Sequence, residues 1–442
     1  MDKEQTVGIL TLGCKVNQYE SEAIAEALSD KGFNIRPHSE VCDAYIVNTC
    51  TVTAESDRKA RQMIRRMITR NPLAYVLVTG CYSQVSPEEV AATPGVDYIC
   101  GSSNKMTVVD ELCKLSEIGK KNDKCKIAVP DLDDSGFEQM SIRRFDRTRA
   151  YVKIEDGCES KCAYCTIPAS RGPIRSKPFN EVLDEVRTLT ENGVREVVLT
   201  GIETGSYGRD LPEKESFASL LAAIDGMDGI GRVRTGSLDP TVIKPQFLEI
   251  VRDLKSLCPH FHLSLQSGSS KILALMKRKY NADQAMVCIE QLRQAIPQVQ
   301  LTTDVIVGFP GESEEDFLET CDFVRRAGFL MIHVFPYSKR RGTVAASMKD
   351  QIPENVKHQR VAELTRISRE IRSSILDRKI AENNGAEVLF ETYRDGYAFG
   401  HTAEFIEVKV KTDKKLNGLF RKVRLISHDG DLCEGILEQT DN

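Results

Sequence analysis

Apolar and polar residues alternate along roughly the first 110 residues in a pattern that predicts strands and helices in turn. Short apolar runs typical of strands lie at residues 7–12, 44–47 and 75–78, and amphipathic stretches typical of helices lie at 18–31 and 57–70. Strands that alternate with helices in this way favour a parallel sheet with crossover helices. The chain therefore begins with an α/β domain, which we place at residues 1–116.

A second and longer series of the same kind occupies the middle of the chain. Strands are predicted at 150–154, 196–200, 231–236, 260–265, 301–307 and 330–335. Helices are predicted at 179–192, 216–227, 244–257, 282–295 and 313–326, and a long charged helix at 354–382. Six strand–helix repeats are typical of a partial (β/α)6 barrel, shorter than the eight units of a closed TIM barrel. We place this barrel at residues 144–375.

The two remaining segments differ from these series. Residues 117–143 are charged and rich in turn-forming residues, and we predict a linker there. Residues 376–442 contain short alternating segments separated by glycine turns, which predict a small antiparallel β-barrel in the style of the oligonucleotide-binding folds. The expected class is thus α/β, with a parallel-sheet domain, a TIM-like partial barrel and a C-terminal β-barrel.

The composition narrows the classes of function. The chain has 442 residues and a formal net charge of −5, so any contact with RNA must come from local basic patches. No apolar run approaches the roughly 20 residues that span a bilayer, so we expect no membrane partner. The polar N-terminus resembles no export signal, so we expect a cytoplasmic protein. In that compartment, 14 cysteines favour metal binding or catalysis over disulfides.

The strongest signal is the segment GCESKCAYC, which places Cys158, Cys162 and Cys165 after the first strand of the barrel with the spacing C-x3-C-x2-C. Structural zinc takes four closed ligands, and the next cysteine along the chain is Cys258. Three thiolates without a fourth ligand favour a [4Fe–4S] cluster with one iron open to a further ligand. A zinc ion, or three unrelated thiols, are the alternatives.

This motif resembles the radical S-adenosylmethionine superfamily. The resemblance implies that S-adenosylmethionine binds the open iron and is cleaved by an electron from the reduced cluster to methionine and a 5′-deoxyadenosyl radical. It also implies cofactor contacts in the segments CAYC, VLTGIETGSYG, HLSLQSGS and DVIVGFPGE, at Tyr164, Gly201, Glu203, Gln266, Asp304, Val305 and Gly308. The simpler alternatives to these contacts are that the glycines of the second segment only form a turn and that Val305 only packs in the core.

A second trio of cysteines is dispersed along the N-terminal domain. Cys14, Cys50 and Cys81 each follow a predicted strand within one to three residues. The carboxyl ends of parallel strands share one edge, so the three thiols are expected to converge there as ligands of a second metal centre. Gly13 and Gly80 leave room for a bulky group beside them. The alternative is that each cysteine is a small buried apolar residue, the role that we assign to Cys42 and Cys100.

Together these motifs resemble the methylthiotransferase family over essentially the whole chain. The resemblance implies an auxiliary [4Fe–4S] cluster on the N-terminal cysteines, which carries the sulfur to be inserted, and a C-terminal TRAM domain, to which Gly396, Gly400 and Phe405 correspond. The segment TLGCKVNQYESE resembles the branch that acts on N6-threonylcarbamoyladenosine beside the tRNA anticodon.

The expected activity is therefore methylthiolation of C2 of N6-threonylcarbamoyladenosine at position 37. The expected partners are tRNA, a low-potential flavodoxin- or ferredoxin-like electron donor and a sulfur source, and we expect a monomer. Methylthiolation of isopentenyladenosine in tRNA or of a ribosomal protein is the alternative within enzymes. A non-catalytic iron–sulfur protein that binds RNA or transfers electrons is the alternative outside them.

Three basic patches are candidates for the contact with tRNA, because cationic grooves and aromatic faces suit single-stranded RNA. The candidate residues are Arg58, Arg65, Arg66, Arg144, Arg147, Lys409, Lys411, Arg421 and Arg424. A solvated charged face is the simpler interpretation of each patch. Arg171 and Arg175, after the cysteine loop, fit either a contact with a carboxylate or phosphate or a solvated turn.

Overall fold

The computed structural model describes residues 5–119, 121, 124–133, 135–145, 148–213, 215–382 and 384–438. In its first part, six parallel strands form one sheet in the order β2-β1-β3-β4-β5-β6. The strands are β1 (Thr6–Thr11), β2 (Asn34–Arg36), β3 (Ala44–Thr49), β4 (Tyr75–Gly80), β5 (Tyr98–Cys100) and β6 (Lys126–Ala128). The helices are α1 (Lys15–Asp30), α2 (Ala54–Arg70), α3 (Cys81–Val85), α4 (Pro87–Ala91) and α5 (Thr107–Ile118). The edge strand β6 lies within the segment expected to be a linker.

The second part is an incomplete parallel barrel. Its strands form two sheets, β7-β10-β11 and β12-β13-β14-β15, in chain order. They are β7 (Arg149–Lys153), β10 (Glu196–Thr200), β11 (Arg232–Thr235), β12 (Ser237–Leu238), β13 (His260–Gln266), β14 (Gln300–Val307) and β15 (Met331–Pro336); β8 (Glu155–Asp156) and β9 (Arg175–Ser176) form a separate short pair. The helices are α6 (Ile167–Arg171), α7 (Phe179–Glu191), α8 (Phe217–Asp225), α9 (Pro245–Val251), α10 (Ser270–Leu275), α11 (Ala282–Ala295), α12 (Glu314–Ala327) and α13 (Glu354–Glu382). Three 3-10 turns lie at Thr204–Ser206, Pro240–Val242 and Val344–Ser347.

Six strand positions separated by helices confirm the predicted partial barrel. One predicted helix, 244–257, is much shorter in the structure. α9 ends at Val251 because the backbone just after it pairs with β11: the N–H of Val233 donates to the oxygen of Ser256, and the N–H of Cys258 donates to the oxygen of Val233, both at 2.8 Å.

The inner face of the barrel, called the lumen below, carries alternate residues of its strands. In β13, Leu263 is buried in the core against the outer helices, whereas the neighbouring His262 is half-buried on the opposite face. In β14, Val305 is in the core and Asp304 lies on the lumen side. The lumen is therefore polar and partly open to solvent.

The C-terminal part is a closed five-stranded barrel in the order β16-β17-β18-β20-β19. Its strands are β16 (Ala386–Arg394), β17 (Tyr397–Thr402), β18 (Glu407–Lys411), β19 (Phe420–Asp429) and β20 (Leu432–Leu437). The barrel is antiparallel as predicted except at β18 and β20, whose parallel pairing closes it. A Cβ at Gly400 would lie 2.2 Å from the carbonyl oxygen of Leu389, so only glycine allows the strands to approach this closely.

This β-barrel closes the amino-terminal end of the lumen. Arg234 of β11 donates to the carbonyl oxygen of Ala403 at 3.0 Å. Phe405 stacks between His260 and His401, with ring centroids 4.8 and 5.0 Å away. Phe405, which the family resemblance placed in the TRAM domain, thus belongs to a domain interface. No helix in the described ranges is long and apolar enough to cross a membrane.

Candidate active site at the domain interface

The first trio of thiols lies on the loop after β8, at the carboxyl edge of the barrel. Two backbone N–H groups donate to its sulfur atoms: Ser160 donates to Sγ of Cys158, and Ile167 donates to Sγ of Cys165, both at 3.4 Å. The loop follows Gly157, where a Cβ would lie 1.8 Å from the carbonyl oxygen of Pro173. With a φ of +90° as well, this position requires glycine.

Burial affects the protonation of two thiols of this trio. It raises the pKa of Cys158 to about 12 and that of Cys165 to about 11, so both thiols are protonated at neutral pH until a metal cation replaces their protons. Arg278 donates from Nη1 to Sγ of the third thiol, Cys162, at 3.3 Å. This contact places a positive charge beside the sulfur of Cys162. Sequence reasoning missed Arg278 because more than a hundred residues separate it from the motif.

Glu203 and Gly201, for which the resemblance to the superfamily implied contacts with the cofactor, lie beside the same loop. The thiol of Cys158 donates to Oε2 of Glu203 at 3.3 Å, and the N–H of Glu203 donates to Oε2 of Glu155 at 2.8 Å. A Cβ at Gly201 would lie 2.7 Å from that same Oε2. Glu155 was not predicted, and its fully buried Oε1 has no hydrogen-bond partner among the described residues. Burial raises the pKa of Glu155 well above its ordinary value.

A cavity of about 240 Å³ joins the cysteine loop to the ends of β13–β15. Tyr164, Gln266 and Asp304 line it, together with Val52 and Thr53 from the N-terminal domain. Gln266 has a φ of +74°, a strained conformation for a residue with a side chain and one that is frequent at functional sites.

Two other predicted contacts lie elsewhere. Val305 has no exposed surface and packs in the hydrophobic core, as its simpler interpretation held. Gly308 packs against α13, where a Cβ would lie 2.4 Å from Cγ of Lys357. The cavity therefore collects three of the seven predicted cofactor contacts, and Gly201 and Glu203 lie beside the cysteine loop.

The second trio converges at the carboxyl edge of the N-terminal sheet. A Cβ at Gly13 would lie 3.0 Å from Sγ of Cys50, so the turn before Cys14 touches the second thiol. Burial, together with the neighbouring charges of Cys81 and Cys14, raises the pKa of Cys50 to about 11. Cys14 has an exposed surface, but surrounding protein raises the pKa of its thiol. A Cβ at Gly80, just before Cys81, would lie 2.4 Å from the carbonyl oxygen of Thr49, just before Cys50, so the three thiols lie at one edge of the sheet.

The loops of the two trios contact each other across the domain interface. The hydroxyl of Thr166, next to Cys165, donates to the carbonyl oxygen of Thr51, next to Cys50, at 3.4 Å. Arg340, after β15, forms an ion pair with Asp57 of α2 at 2.7 Å and thereby stabilises the loop that contains Thr51.

Arg171 connects the two sites directly. It is fully buried, and its Nε–H donates to Sγ of Cys81 at 3.1 Å. Its Nη1 donates to Glu20 of α1 at 2.6 Å and to Asp156 at 3.1 Å. Lys105 and Lys153 also bind Glu20, so five buried charged side chains cross the interface. Arg171 therefore contacts carboxylates, one of the two interpretations open from the sequence.

The spacing of the thiols bears on which metal they could hold. Among the described residues, one group of three or more His, Cys, Asp or Glu donors lies within 4.8 Å of one another: His262, Asp304 and His333 in the lumen. Thiolates on a single zinc ion at about 2.3 Å lie roughly 4 Å apart. Neither cysteine trio is that compact, and a three-thiol donor set fits a larger inorganic group with an open position.

The candidate RNA-binding residues are dispersed. Arg65 and Arg66 are exposed on α2, and the exposed Arg58 pairs with Glu55. Arg144 is exposed and lines a depression beside the acidic residues of α1. Arg147 lies outside the described residues.

The C-terminal barrel carries a basic and aromatic surface, here called the outer strip: Arg394, Tyr397, Phe399, Lys409 and Lys411. Arg394 lies 4.4 Å from the ring centroid of Phe399, and Lys409 lies 5.5 Å from that of Tyr397. Lys411 is exposed on the same face and pairs in register with Tyr397. The sequence signal that could have identified Tyr397 and Phe399 is the alternation of aromatic and small residues in the segment YAFGH.

The other two candidates of this barrel lie outside that strip, on β19. Arg424 is exposed, whereas the half-buried Arg421 donates to the neighbouring carbonyl oxygen of Phe420 at 2.7 Å.

Comparison with known proteins identifies the family. Residues 152–324 match the Radical SAM superfamily, and residues 6–101 match the Uncharacterized protein family UPF0004. The chain is 38% identical, over 97% of its length and 96% of the relative's, to the threonylcarbamoyladenosine tRNA methylthiotransferase MtaB of Bacillus subtilis (strain 168). The chain belongs to the methylthiotransferase family of radical SAM proteins. That membership implies a [4Fe–4S] cluster and S-adenosylmethionine as cofactors.

Other methylthiotransferases are similarly close. The MtaB of Thermotoga maritima is 36% identical over 98% of both chains. The tRNA-2-methylthio-N(6)-dimethylallyladenosine synthase of Carboxydothermus hydrogenoformans is also 36% identical, over 97% of this chain and 94% of its own. Among solved structures, the radical S-adenosylmethionine methyltransferase TsrM of Kitasatospora setae shares the fold, with a TM-score of 0.57 at 15% identity, covering 78% of this chain and 77% of its own.

Proposed function

We propose that this protein methylthiolates C2 of N6-threonylcarbamoyladenosine at position 37 of tRNA, giving the 2-methylthio derivative. The observation that carries the proposal is the contact between the two cysteine loops, through Thr166 and Thr51 and through Arg171 and Cys81, in a chain 38% identical to an MtaB. A reaction that joins radical chemistry to sulfur insertion needs both sites at one cavity.

The three cysteine thiols of each trio support the binding of one iron–sulfur cluster at each site. Cys158, Cys162 and Cys165 would hold one, and Cys14, Cys50 and Cys81 the other. When bound, the first cluster supplies the electron that cleaves S-adenosylmethionine, and the second supplies the sulfur. Arg278 and Arg171 each donate a hydrogen bond to one sulfur of a trio, so a positive charge lies beside each site where an anionic cluster would bind.

The other residues around the cavity bind and orient the organic reactants. Glu203 presents a carboxylate beside the first trio, where it suits the amino group of S-adenosylmethionine. Tyr164, Gln266 and Asp304 line the cavity in which the adenosyl group and the target base would meet. Val52 and Thr53 cover that cavity from the N-terminal side and limit the access of water to a reactive radical.

The outer strip supports tRNA as the substrate. It combines cations with two aromatic faces, the combination that single-stranded nucleic acid requires. A low-potential flavodoxin- or ferredoxin-like donor, a sulfur source that replenishes the second site, and a monomeric, cytoplasmic protein complete the proposal.

The deciding experiment incubates reconstituted protein anaerobically with tRNA, S-adenosylmethionine, sulfide and a low-potential reductant, then measures nucleosides by mass spectrometry. We expect threonylcarbamoyladenosine to be converted to its 2-methylthio form. Conversion of isopentenyladenosine instead would favour the other tRNA branch, and an unchanged nucleoside pool would overturn the proposal. Formation of 5′-deoxyadenosine separates an enzyme from a non-catalytic iron–sulfur protein, which forms none.

A further inference from the structure

Three side chains that can bind a metal ion meet on the lumen side of three adjacent strands. They are His262 of β13, Asp304 of β14 and His333 of β15. Asp304 and His333 pair in register on neighbouring parallel strands, so their side chains leave the sheet on the same face. The ring centroids of His262 and His333 lie 5.9 Å apart, and one donor atom of each of the three residues lies within 4.8 Å of the other two. The sheet therefore holds two imidazoles and one carboxylate around one point.

The distance between His262 and Asp304 fits two ligands of one ion better than a direct hydrogen bond. Nε2 of His262 lies 3.4 Å from Oδ2 of Asp304. A charge-assisted hydrogen bond between such groups would be about 2.7–2.9 Å long. Two tetrahedral ligands at about 2.0–2.1 Å from a zinc ion lie roughly 3.4 Å apart. Within the ranges that the structure describes, no hydrogen bond is formed by the Asp304 carboxylate or by a ring nitrogen of His333, so these atoms remain available to an ion.

Thr302 orients the first of the two imidazoles. It pairs in register with His262, and its hydroxyl oxygen lies 2.9 Å from Nδ1 of that ring. With Nδ1–H as the donor, the lone pair of His262 is on Nε2, the nitrogen that lies beside Asp304. Histidines that bind metals are commonly fixed in this way, by a hydrogen bond from the nitrogen that does not bind the ion. Thr302 thus supplies a partner that a metal site needs and that a chance cluster of side chains lacks.

The group is distinct from the proposed clusters in its chemistry and is accessible to an ion. No cysteine belongs to it among the described residues, and imidazole with carboxylate suits single ions such as zinc rather than an iron–sulfur cluster. His333 is exposed, and Asp304 lines the reaction cavity. Three protein ligands leave one tetrahedral position open, as in catalytic zinc sites.

We propose that His262, Asp304 and His333 bind one divalent transition-metal ion of the zinc class inside the lumen. The open position of this ion takes a water molecule or an anionic oxygen ligand such as a carboxylate. The ion is additional to the two clusters, and its binding does not depend on the proposed reaction.

The test measures zinc in protein that already carries its clusters. The protein is reconstituted anaerobically with iron and sulfide, incubated with zinc chloride, freed of unbound metal by gel filtration and analysed for zinc and iron by mass spectrometry. Wild type should hold about one zinc ion per chain more than His333→Ala or Asp304→Asn, because each variant removes one of three ligands. Iron(II) left at the site should not prevent this, since zinc binds such ligands more tightly.

The control is His358→Ala, which removes an exposed histidine of α13 and should keep the wild-type zinc content. Equal iron contents in all four proteins show that the variants fold and retain their clusters. Asp304→Asn, which preserves the shape of the side chain, provides the second variant should His333→Ala lose iron.

Zinc K-edge X-ray absorption then identifies the ligands. Nitrogen and oxygen neighbours at about 2.0–2.2 Å would support this site, whereas sulfur neighbours at about 2.3 Å would place the zinc in a cysteine trio and overturn the inference. Equal zinc contents in wild type and both ligand variants would also overturn it. Neither result bears on nucleoside conversion, so the proposed function stands or fails separately.

Discussion

Arg171, at the end of the helix that follows the first cysteine loop, donates its Nε–H to Sγ of Cys81 in the N-terminal sheet at 3.1 Å. The same guanidinium binds Glu20 and Asp156, so one buried side chain joins both domains and touches a proposed cluster ligand. Removal of the Arg171 guanidinium would leave the buried carboxylates of Glu20 and Asp156 without this cationic partner.

We expect Arg171→Gln to lower the free energy of unfolding by about 3–5 kcal/mol, the cost of breaking a buried ion pair from one side. Urea denaturation measures the change. The exposed pair of Arg187 and Asp184 provides the control, since Arg187→Gln should cost less than about 1 kcal/mol. A similar small cost for Arg171→Gln would show that the network adds nothing to stability.

The charge of Glu20 makes stability depend on pH. Burial opposes that charge, but Arg171, Lys105 and Lys153 outweigh it and hold the pKa of Glu20 well below the ordinary 4.5. The unfolded chain therefore takes up this proton before the folded protein does, and stability is lost as the pH falls below about 5. Urea titrations of cluster-free protein at neutral and acidic pH should show a smaller acid-induced loss in Glu20→Gln than in wild type. An identical loss in both would refute this assignment.

The two cysteine trios should act independently as metal sites. Replacing Cys158, Cys162 and Cys165 together by alanine should retain about four irons per chain, the content of one [4Fe–4S] cluster, and abolish 5′-deoxyadenosine formation. Replacing Cys14, Cys50 and Cys81 should also retain about four irons but abolish only methylthiolation. Cys42→Ala, a buried cysteine outside both trios, should keep both activities. Complete loss of iron from either triple variant would contradict separate sites.

Glu155 should behave as a neutral group. Its pKa is raised by burial, and its Oε2 accepts the N–H of Glu203. Glu155→Gln should therefore change the free energy of unfolding by less than about 1 kcal/mol, whereas Glu155→Ala, which leaves that half-buried N–H unpaired, should cost about 1–3 kcal/mol. A glutamine variant as unstable as the alanine variant would indicate that the carboxylate is charged.

The outer strip should contribute to tRNA affinity. Phe399→Ala should weaken tRNA binding by about tenfold, because stacking of one base on an aromatic ring contributes about 1–3 kcal/mol. Fluorescence anisotropy at fixed salt measures this, and Arg394→Gln should also reduce the salt dependence. Lys349→Gln, an exposed lysine elsewhere, should leave the affinity within twofold. If both strip variants kept the wild-type affinity, the RNA interface would instead lie at the arginines of α2.

Much of the fold follows from local sequence patterns. The limits of α11 and α13 were predicted to the residue, because Asn281 caps one helix and an uninterrupted charged segment forms the other. The edge strand β6 was missed because its three residues are too few to show alternation. Gly13 and Gly80 were predicted to leave room for a bulky group beside the cysteines, and in the structure they allow close contact with Cys50 and with the backbone of Thr49.

The interior of the site was much less predictable. The motif and the strand ends pointed to the six cysteines, but Arg278 reaches Cys162, and Glu155 reaches Glu203, only through tertiary contacts. Asp304 and Val305 are neighbours in one motif, yet the pleat of β14 turns one into the lumen and the other into the core. A motif marks the strand end, and the strand's register decides which of its side chains line the cavity.

The small cavity below Val52 limits the conformation in which the RNA can react. A space of about 240 Å³ is too small for a base that is still stacked on its neighbours. The adenosine beside the anticodon must therefore swing out of the loop before it can react, as in other enzymes that modify a base by extruding it. Nucleotides that loosen the stacking of the anticodon loop should speed the reaction even where the protein never touches them.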